Sequence, residues 1–213
     1  MTAELKVMIG IGLVTICLFF AAIWWMGSGE NQLSGTVDVN RLVTADSARI
    51  GSDSAKVTLV EFGDYQCPSC AFSHVVVKDL IQTYPTQLSF VFRHFPLSQH
   101  PLAPLAAQAA EAAGEQGKYW EMHDILYENQ TQWSTAADPV KYFQTYATNL
   151  SLDLTKFTES VSSTKFAGKI QQGLADGSAI NVNATPTFYL NGQKFTGTTQ
   201  DLKAAVQALI SKN

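Results

Sequence analysis

Cys67 and Cys70, separated by Pro68 and Ser69 in the stretch FGDYQCPSC, are the residues of this sequence best equipped to do chemistry. Two thiols at that spacing can hold a metal, close a structural staple, or cycle between dithiol and disulfide. A structural zinc site needs about four ligands, usually two cysteine pairs or one pair with two well-spaced histidines. Neither pattern is present: the third cysteine is Cys17, and His74, His94, His100 and His123 show no ligand spacing. No metal is therefore expected, and each histidine is read as a surface or packing residue. A staple is also weak, because so short a loop hardly restrains the unfolded chain. Redox exchange is the remaining chemistry.

The elements around the pair favour that chemistry. Residues 56–63, KVTLVEFG, are apolar on both alternating faces apart from Glu61, the pattern of a strand buried on both sides. The segment CAFSHVVVKDLIQTY then has mostly helical apolar spacing and stops before Pro85, and residues 87–95, QLSFVFRHF, form a second strand. Strand, helix and strand of these lengths make a βαβ unit. Cys67 thus falls at a helix N-terminus, where unsatisfied N–H groups and the helix dipole lower a thiol pKa from about 8.5 to about 3.5–7.5. Pro68 suits the first helical position. Cys70, one turn further in, is expected to be the more buried, resolving thiol. Stabilising the Cys67 thiolate stabilises the reduced form and makes the disulfide a stronger oxidant.

Glu61 and Pro186 stand out near this unit. A carboxyl on an apolar strand is neutral, hydrogen-bonded through water, at work as a proton acceptor for Cys70, or at an edge that reaches solvent. Pro186 precedes the apolar run TFYL, where proline must shape a tight bend. By itself an X–Pro bond is expected trans, since only about 5–6% are cis.

The rest of the chain supplies a frame. Residues 102–181 are rich in Ala, Leu, Glu, Gln and Lys and predict helices over 104–116, 118–129, 139–149, 152–162 and 166–180. Residues 187–190, the turn Asn191-Gly192 and residues 193–197 predict a hairpin, because Asn-Gly supplies the positive φ angles of a type I′ turn. An amphipathic helix, TQDLKAAVQALIS, follows with Thr199 as its expected cap. The pattern is an α/β domain over residues 51–213, with an all-helical insertion at about 102–181 that must pack over or beside the sheet.

Residues 7–26 carry no charge and would span roughly 30 Å of hydrocarbon as a helix. A cleaved signal peptide has an apolar core of only about 7–15 residues. This segment is longer and ends in Trp24, Trp25 and Met26, suited to a membrane interface, so an uncleaved single-pass anchor is expected. Lys6 precedes it and no basic residue follows until Arg41, which favours a cytoplasmic tail at residues 1–6 and a domain outside. Residues 27–50, small and polar at their start, read as a linker. Cys17 lies within the apolar span as a small hydrophobe. A net charge of −4 without basic clusters gives no reason to expect nucleic-acid binding.

The segments VEFGDYQCPSC, FVFRHFPL, HPLAPLAAQAAEAA, GKYWEMHDILYENQ and TPTFYLNG resemble, in that order, the DsbA-like branch of the thioredoxin superfamily. The resemblance covers residue 50 to the C-terminus. It implies a thioredoxin fold with a helical insertion and a cis Thr185–Pro186 bond against Cys67, the two residues holding substrate backbone. It also implies Glu61 as a buried acid. The chemistry implied is thiol:disulfide exchange on reduced, unfolded secreted polypeptides, with no cofactor beyond the cysteines. Reoxidation would come from a quinone-linked membrane partner, either DsbB-like or vitamin-K-epoxide-reductase-like. In one respect the chain departs from the best-known pattern, Cys-Pro-His-Cys: it has Ser69, which carries no charge. A less extreme thiolate follows, which leaves room for a reductase or isomerase. A non-catalytic polypeptide-binding module is the rival outside enzymes.

Overall fold

The structure is a computed structural model that describes residues 33–212. The expected tail (1–6), membrane anchor (7–26) and first linker residues lie outside the described residues. Among the described residues, no helix is long and apolar enough to cross a membrane.

The sheet forms around β3 (Val57–Gly63) and β4 (Leu88–His94), both buried along nearly their whole length. They run parallel and in register from Val57 opposite Leu88 to Gly63 opposite His94. The crossover between them is α2 (Pro68–Thr83), preceded by the short α1 (Val39–Leu42). On the other side of β3 lies the antiparallel β5 (Thr187–Leu190), which pairs Phe188 with Glu61. The Asn191-Gly192 turn, with φ of +48° and +85°, leads into β6 (Gln193–Phe195) as the Asn-Gly pair predicts.

The linker expected over residues 27–50 is corrected from residue 33 onward. Leu33–Thr36 forms β1 and pairs with β6, and Ala48–Gly51 forms β2 and pairs with β4. The six-stranded order is therefore β1-β6-β5-β3-β4-β2. These outer strands are short and polar or half-buried, so backbone pairing holds them rather than any apolar alternation. Asp38 caps α1 by accepting the Asn40 N–H.

The insertion contains α3 (Ala103–Gly114), α4 (Tyr119–Glu128), α5 (Gln130–Trp133), α6 (Pro139–Asn149), α7 (Leu154–Ser162) and α8 (Ala167–Ala179). Alanines at 103, 106, 107, 109, 110, 112 and 113 are all buried, which lets neighbouring helices approach α3 closely. The last helix, α9 (Thr199–Ser211), starts one residue earlier than expected: Thr198, not Thr199, is the cap, in a capping box with Asp201. That box satisfies two donors of the first turn at once.

Alternation along β3 divides the core. Leu59 faces a large cluster with Cys70, Leu80, Phe90, Phe92, Leu202 and the insertion helices. Val60 and Phe62 face a smaller cluster with Leu42, Val91, Phe95 and Tyr189. The second cluster is closed by α8, which can lie on the sheet only because of its glycines. A Cβ on Gly173 would come within 2.5 Å of the His94 carbonyl oxygen, and one on Gly177 within 2.7 Å of the Phe95 ring.

Candidate active site

Four residues separate the end of β3 from α2, and their side chains fix the turn. Asp64, 2% exposed, accepts hydrogen bonds from the Gln66 N–H at 2.7 Å, the Leu97 N–H at 2.8 Å and His100 Nδ1 at 2.8 Å. Gln66 accepts the Leu102 N–H at 2.7 Å. Gln130, on α5, donates through Nε2 to the carbonyls of Tyr65 at 2.8 Å and Cys67 at 2.9 Å. The cysteine loop is thereby tied to the β4–α3 connection and to the insertion.

Cys67 becomes the N-cap of α2 with extended backbone (φ −76°, ψ 120°), and Pro68 occupies the first turn. Both cysteines are free thiols. Cys67 keeps 6% of its surface exposed and Cys70 none, so only one sulfur is offered to solvent. Cys67 Sγ lies 3.3 Å from the carbonyl oxygen of Thr185, to which its thiol donates. The Thr185–Pro186 bond is cis.

Electrostatics separate the two thiols. The Cys67 pKa is lowered from 9.0 to about 5, first by a hydrogen bond from the Cys70 thiol. Burial opposes the shift, and the Thr185 hydroxyl and the N–H groups of Cys70 and Ser69 assist it. The Thr185 Oγ1 is buried without a partner in the thiol state, so it is available to the thiolate once the bond to the Thr185 carbonyl is lost. Cys70 is pushed well above the usual thiol value, mainly by burial, then by its hydrogen bond to Cys67 and the charges of Glu61 and Cys67. Glu61, 2% exposed, is raised to about 8, by burial first and by the Cys67 charge second. Its Oε1 has no hydrogen-bond partner. Of the readings open for Glu61, the solvent-reaching edge is excluded, since β3 is central and the carboxyl is buried.

The geometry therefore brings together Cys67, Cys70, Glu61, Pro68, Ser69, Thr185 and Pro186. One nucleophilic sulfur, a second sulfur that keeps its proton and a neutral carboxyl beside them can form, break and resolve a disulfide. Asp64, His100 and Gln130 were not legible as site residues, because their link to the loop is spatial: Gln130 lies 63 residues from Cys67. Of the surface and packing readings, the histidines take the packing one. His74, His94 and His123 are buried, His94 bonding Glu111 at 2.8 Å, and His100 is partly buried on Asp64. Among the described residues, one His/Cys/Asp/Glu group has metal-ligand spacing, His74 with His123 and Asp124, and neither cysteine belongs to it.

The sequence pattern of the thioredoxin family matches residues 44–209. The chain belongs to the thioredoxin family. Among solved structures of this fold, oxidised BdbD from Bacillus subtilis superposes with a TM-score of 0.70 at 23% identity, covering 84% of this chain and 98% of that one. The α-DsbA1 protein of Wolbachia pipientis gives 0.69 at 18% identity over 79% and 93% of the two chains. The family's DsbA-like form, with helices inserted in the thioredoxin fold, is thus the architecture seen here. In sequence, the chain is 39% identical over 178 residues to the Na(+)/H(+) antiporter NhaA 3 of Salinispora tropica, covering 82% of this chain and 26% of that protein. NhaA of Herminiimonas arsenicoxydans is 33% identical over 147 residues, covering 69% and 22%. This thioredoxin-family chain spans about a quarter of the length of the curated relatives it matches.

Proposed function

We propose that the protein is a membrane-tethered, extracytoplasmic thiol:disulfide oxidoreductase that donates its Cys67–Cys70 disulfide to secreted or cell-envelope polypeptides. The observation that carries this reading is the division of labour between the sulfurs. The partly accessible Cys67 has a pKa near 5 and faces the cis proline bend, while the buried Cys70 holds its proton. A substrate thiolate attacks Cys67 Sγ, the Cys67–Cys70 bond breaks, and Cys70 leaves as a thiolate that takes a proton from the neighbouring Glu61 carboxyl. A second substrate thiolate then attacks the substrate sulfur of the mixed disulfide. The substrate is oxidised to a disulfide and Cys67 departs as the stabilised thiolate, so both electrons end on the enzyme. Thr185 and Pro186 hold the substrate backbone as an added strand, a mode that tolerates many sequences because it uses main-chain groups. A quinone-linked membrane partner, DsbB-like or vitamin-K-epoxide-reductase-like, then takes the electrons, and residues 7–26 keep the enzyme beside it.

Ser69 favours a second reading, a reductase or isomerase, since it places no positive charge next to Cys67. The experiment that separates them is the equilibrium potential of the full chain against glutathione, combined with oxidation of reduced ribonuclease. A potential well above thioredoxin's (about −270 mV), with ribonuclease reactivation abolished by Cys67→Ala, is the expected result. A potential near thioredoxin's rejects the oxidase, and activity that survives Cys67→Ala rejects both enzyme readings in favour of a polypeptide-binding module.

A further inference from the structure

His74 follows Cys70 by about one turn of α2, and His123 and Asp124 are adjacent on α4. One donor atom from each lies within 4.8 Å of the other two. The three line a cavity of about 150 Å³ whose other walls include Ile50, Val77, Phe90 and Trp120. None of them takes part in the thiol chemistry described above.

The hydrogen bonding leaves donor atoms with no other employment. His123 Nδ1 sits 2.9 Å from the Tyr65 hydroxyl, and that hydroxyl donates onward to the Tyr119 oxygen at 3.3 Å. With the Tyr65 proton directed to Tyr119, Tyr65 Oη accepts from Nδ1–H, the tautomer that leaves Nε2 of the neutral imidazole a bare lone pair. Fixing a ligand ring through its second nitrogen is the usual way a protein orients a metal-binding histidine. His74 Nε2 is buried with no hydrogen-bond partner, although Asp124 Oδ1 stands 3.5 Å away. A buried polar atom left unmatched calls for an explanation. Asp124 turns its other oxygen, Oδ2, to Lys78 at 2.8 Å, and Lys78 also reaches Glu128 at 2.6 Å. Lys78 on the cavity wall is shared between Asp124 and Glu128, a carboxylate behind the wall, so one ammonium serves two carboxylates and Asp124 is only partly neutralised, which suits a cation.

We propose that His74, His123 and Asp124 form a two-nitrogen, one-oxygen site for a divalent transition ion of the zinc class, with the fourth position open to the cavity. Imidazole donors select zinc, copper, nickel or cobalt over calcium and magnesium. Three protein ligands with one position left over is the coordination of an open rather than a closed zinc site. An ion held there joins α2, which carries both cysteines, to α4 of the insertion.

The test uses the purified full chain without a histidine tag, its cysteines held as the disulfide so that no thiolate pair competes. Zinc is titrated by calorimetry and cobalt by its visible d–d absorption. One zinc per chain, tetrahedral cobalt bands, and a loss of affinity of at least about tenfold in both His74→Gln and Asp124→Asn are expected, since even outer-shell changes cost about 10–100-fold. No stoichiometric zinc, or affinity in both variants within about threefold of the parent, overturns the site. Should either variant fail to fold, imidazole ¹⁵N shifts of the parent chain decide. A large zinc-induced shift at one nitrogen of each of His74 and His123 supports the site, and unchanged shifts sink it.

Discussion

Replacing Cys70 with alanine removes the largest influence that keeps Cys67 ionised, the hydrogen bond from the Cys70 thiol. A hydrogen bond to a charged group contributes about 1.5–3 kcal/mol, and about 1.4 kcal/mol corresponds to one pKa unit. The Cys67 pKa, about 5 in the intact chain, should therefore rise to roughly 6–7 in Cys70→Ala. It should not return to the free-thiol value, because the Thr185 hydroxyl and the two backbone N–H groups remain. The measurement is thiolate absorbance against pH in a Cys17→Ala background, where Cys67 is the sole cysteine, with the alkylation rate as a cross-check. A variant that still titrates near 5 would refute the role given to Cys70. A parent that titrates at or above about 8.5 would refute thiolate activation as a whole. The same shift sets the sign of a pH dependence. A depressed acid pKa contributes its full stabilisation above the unfolded value and loses it as pH falls through the folded one. The preference of the folded protein for the dithiol should be complete above about pH 9 and should shrink steadily towards pH 5. The full shift from 9.0 to about 5 corresponds to at most about 5 kcal/mol; solvent screening of the partly exposed sulfur reduces it, so the gain in oxidising strength stays below roughly 110 mV.

Glu61 carries the opposite sign. Its pKa of about 8 lies above the unfolded value, so the folded state is favoured most at low pH and loses stability as pH rises to about 8. Glu61→Gln should therefore raise stability at pH 7 by about 2–3 kcal/mol and leave it nearly unchanged at pH 4, while slowing formation of the mixed disulfide, the step in which Cys70 leaves. Denaturant titrations at the two pH values check this, and an equal effect at both would contradict the buried, neutral carboxyl. Gln130→Ala leaves the Tyr65 carbonyl without the bond it receives and should cost about 1–2 kcal/mol in urea unfolding. It should also change the pH profile of Cys67 alkylation, and a variant matching the parent in both measurements would show that the clamp on the loop is not needed.

How much of this was legible in the sequence depended on whether an element declares itself locally. β3, buried on both faces, has an apolar run that fixes it without reference to anything else, and the Asn191-Gly192 turn names its own geometry. The helix α6 (Pro139–Asn149) coincides with the range its pattern predicts, since Pro139 and an amphipathic face are both local signals. β1 and β2 were illegible because Leu33–Thr36 and Ala48–Gly51 are strands only by virtue of their neighbours' free backbone groups. The choice between Thr198 and Thr199 as cap turned on Asp201, whose side chain reaches back to the earlier threonine. At the site, the cysteines and Glu61 stood out by type and context. Asp64, His100 and Gln130 did not, because an ordinary polar residue acquires its part only when a distant segment folds against it. His74 and His123 likewise meet from different helices, so no spacing rule could pair them.

The three side chains that brace the turn after β3 belong to the turn itself, to the connection beyond β4 and to the inserted helices. What the two sulfurs can do is thus written into stretches of chain far from the Cys-Pro-Ser-Cys tetrapeptide. Grafting those four letters onto another member of the family would transplant the atoms while leaving their temperament behind, and drift in the insertion can retune the redox pair without touching it.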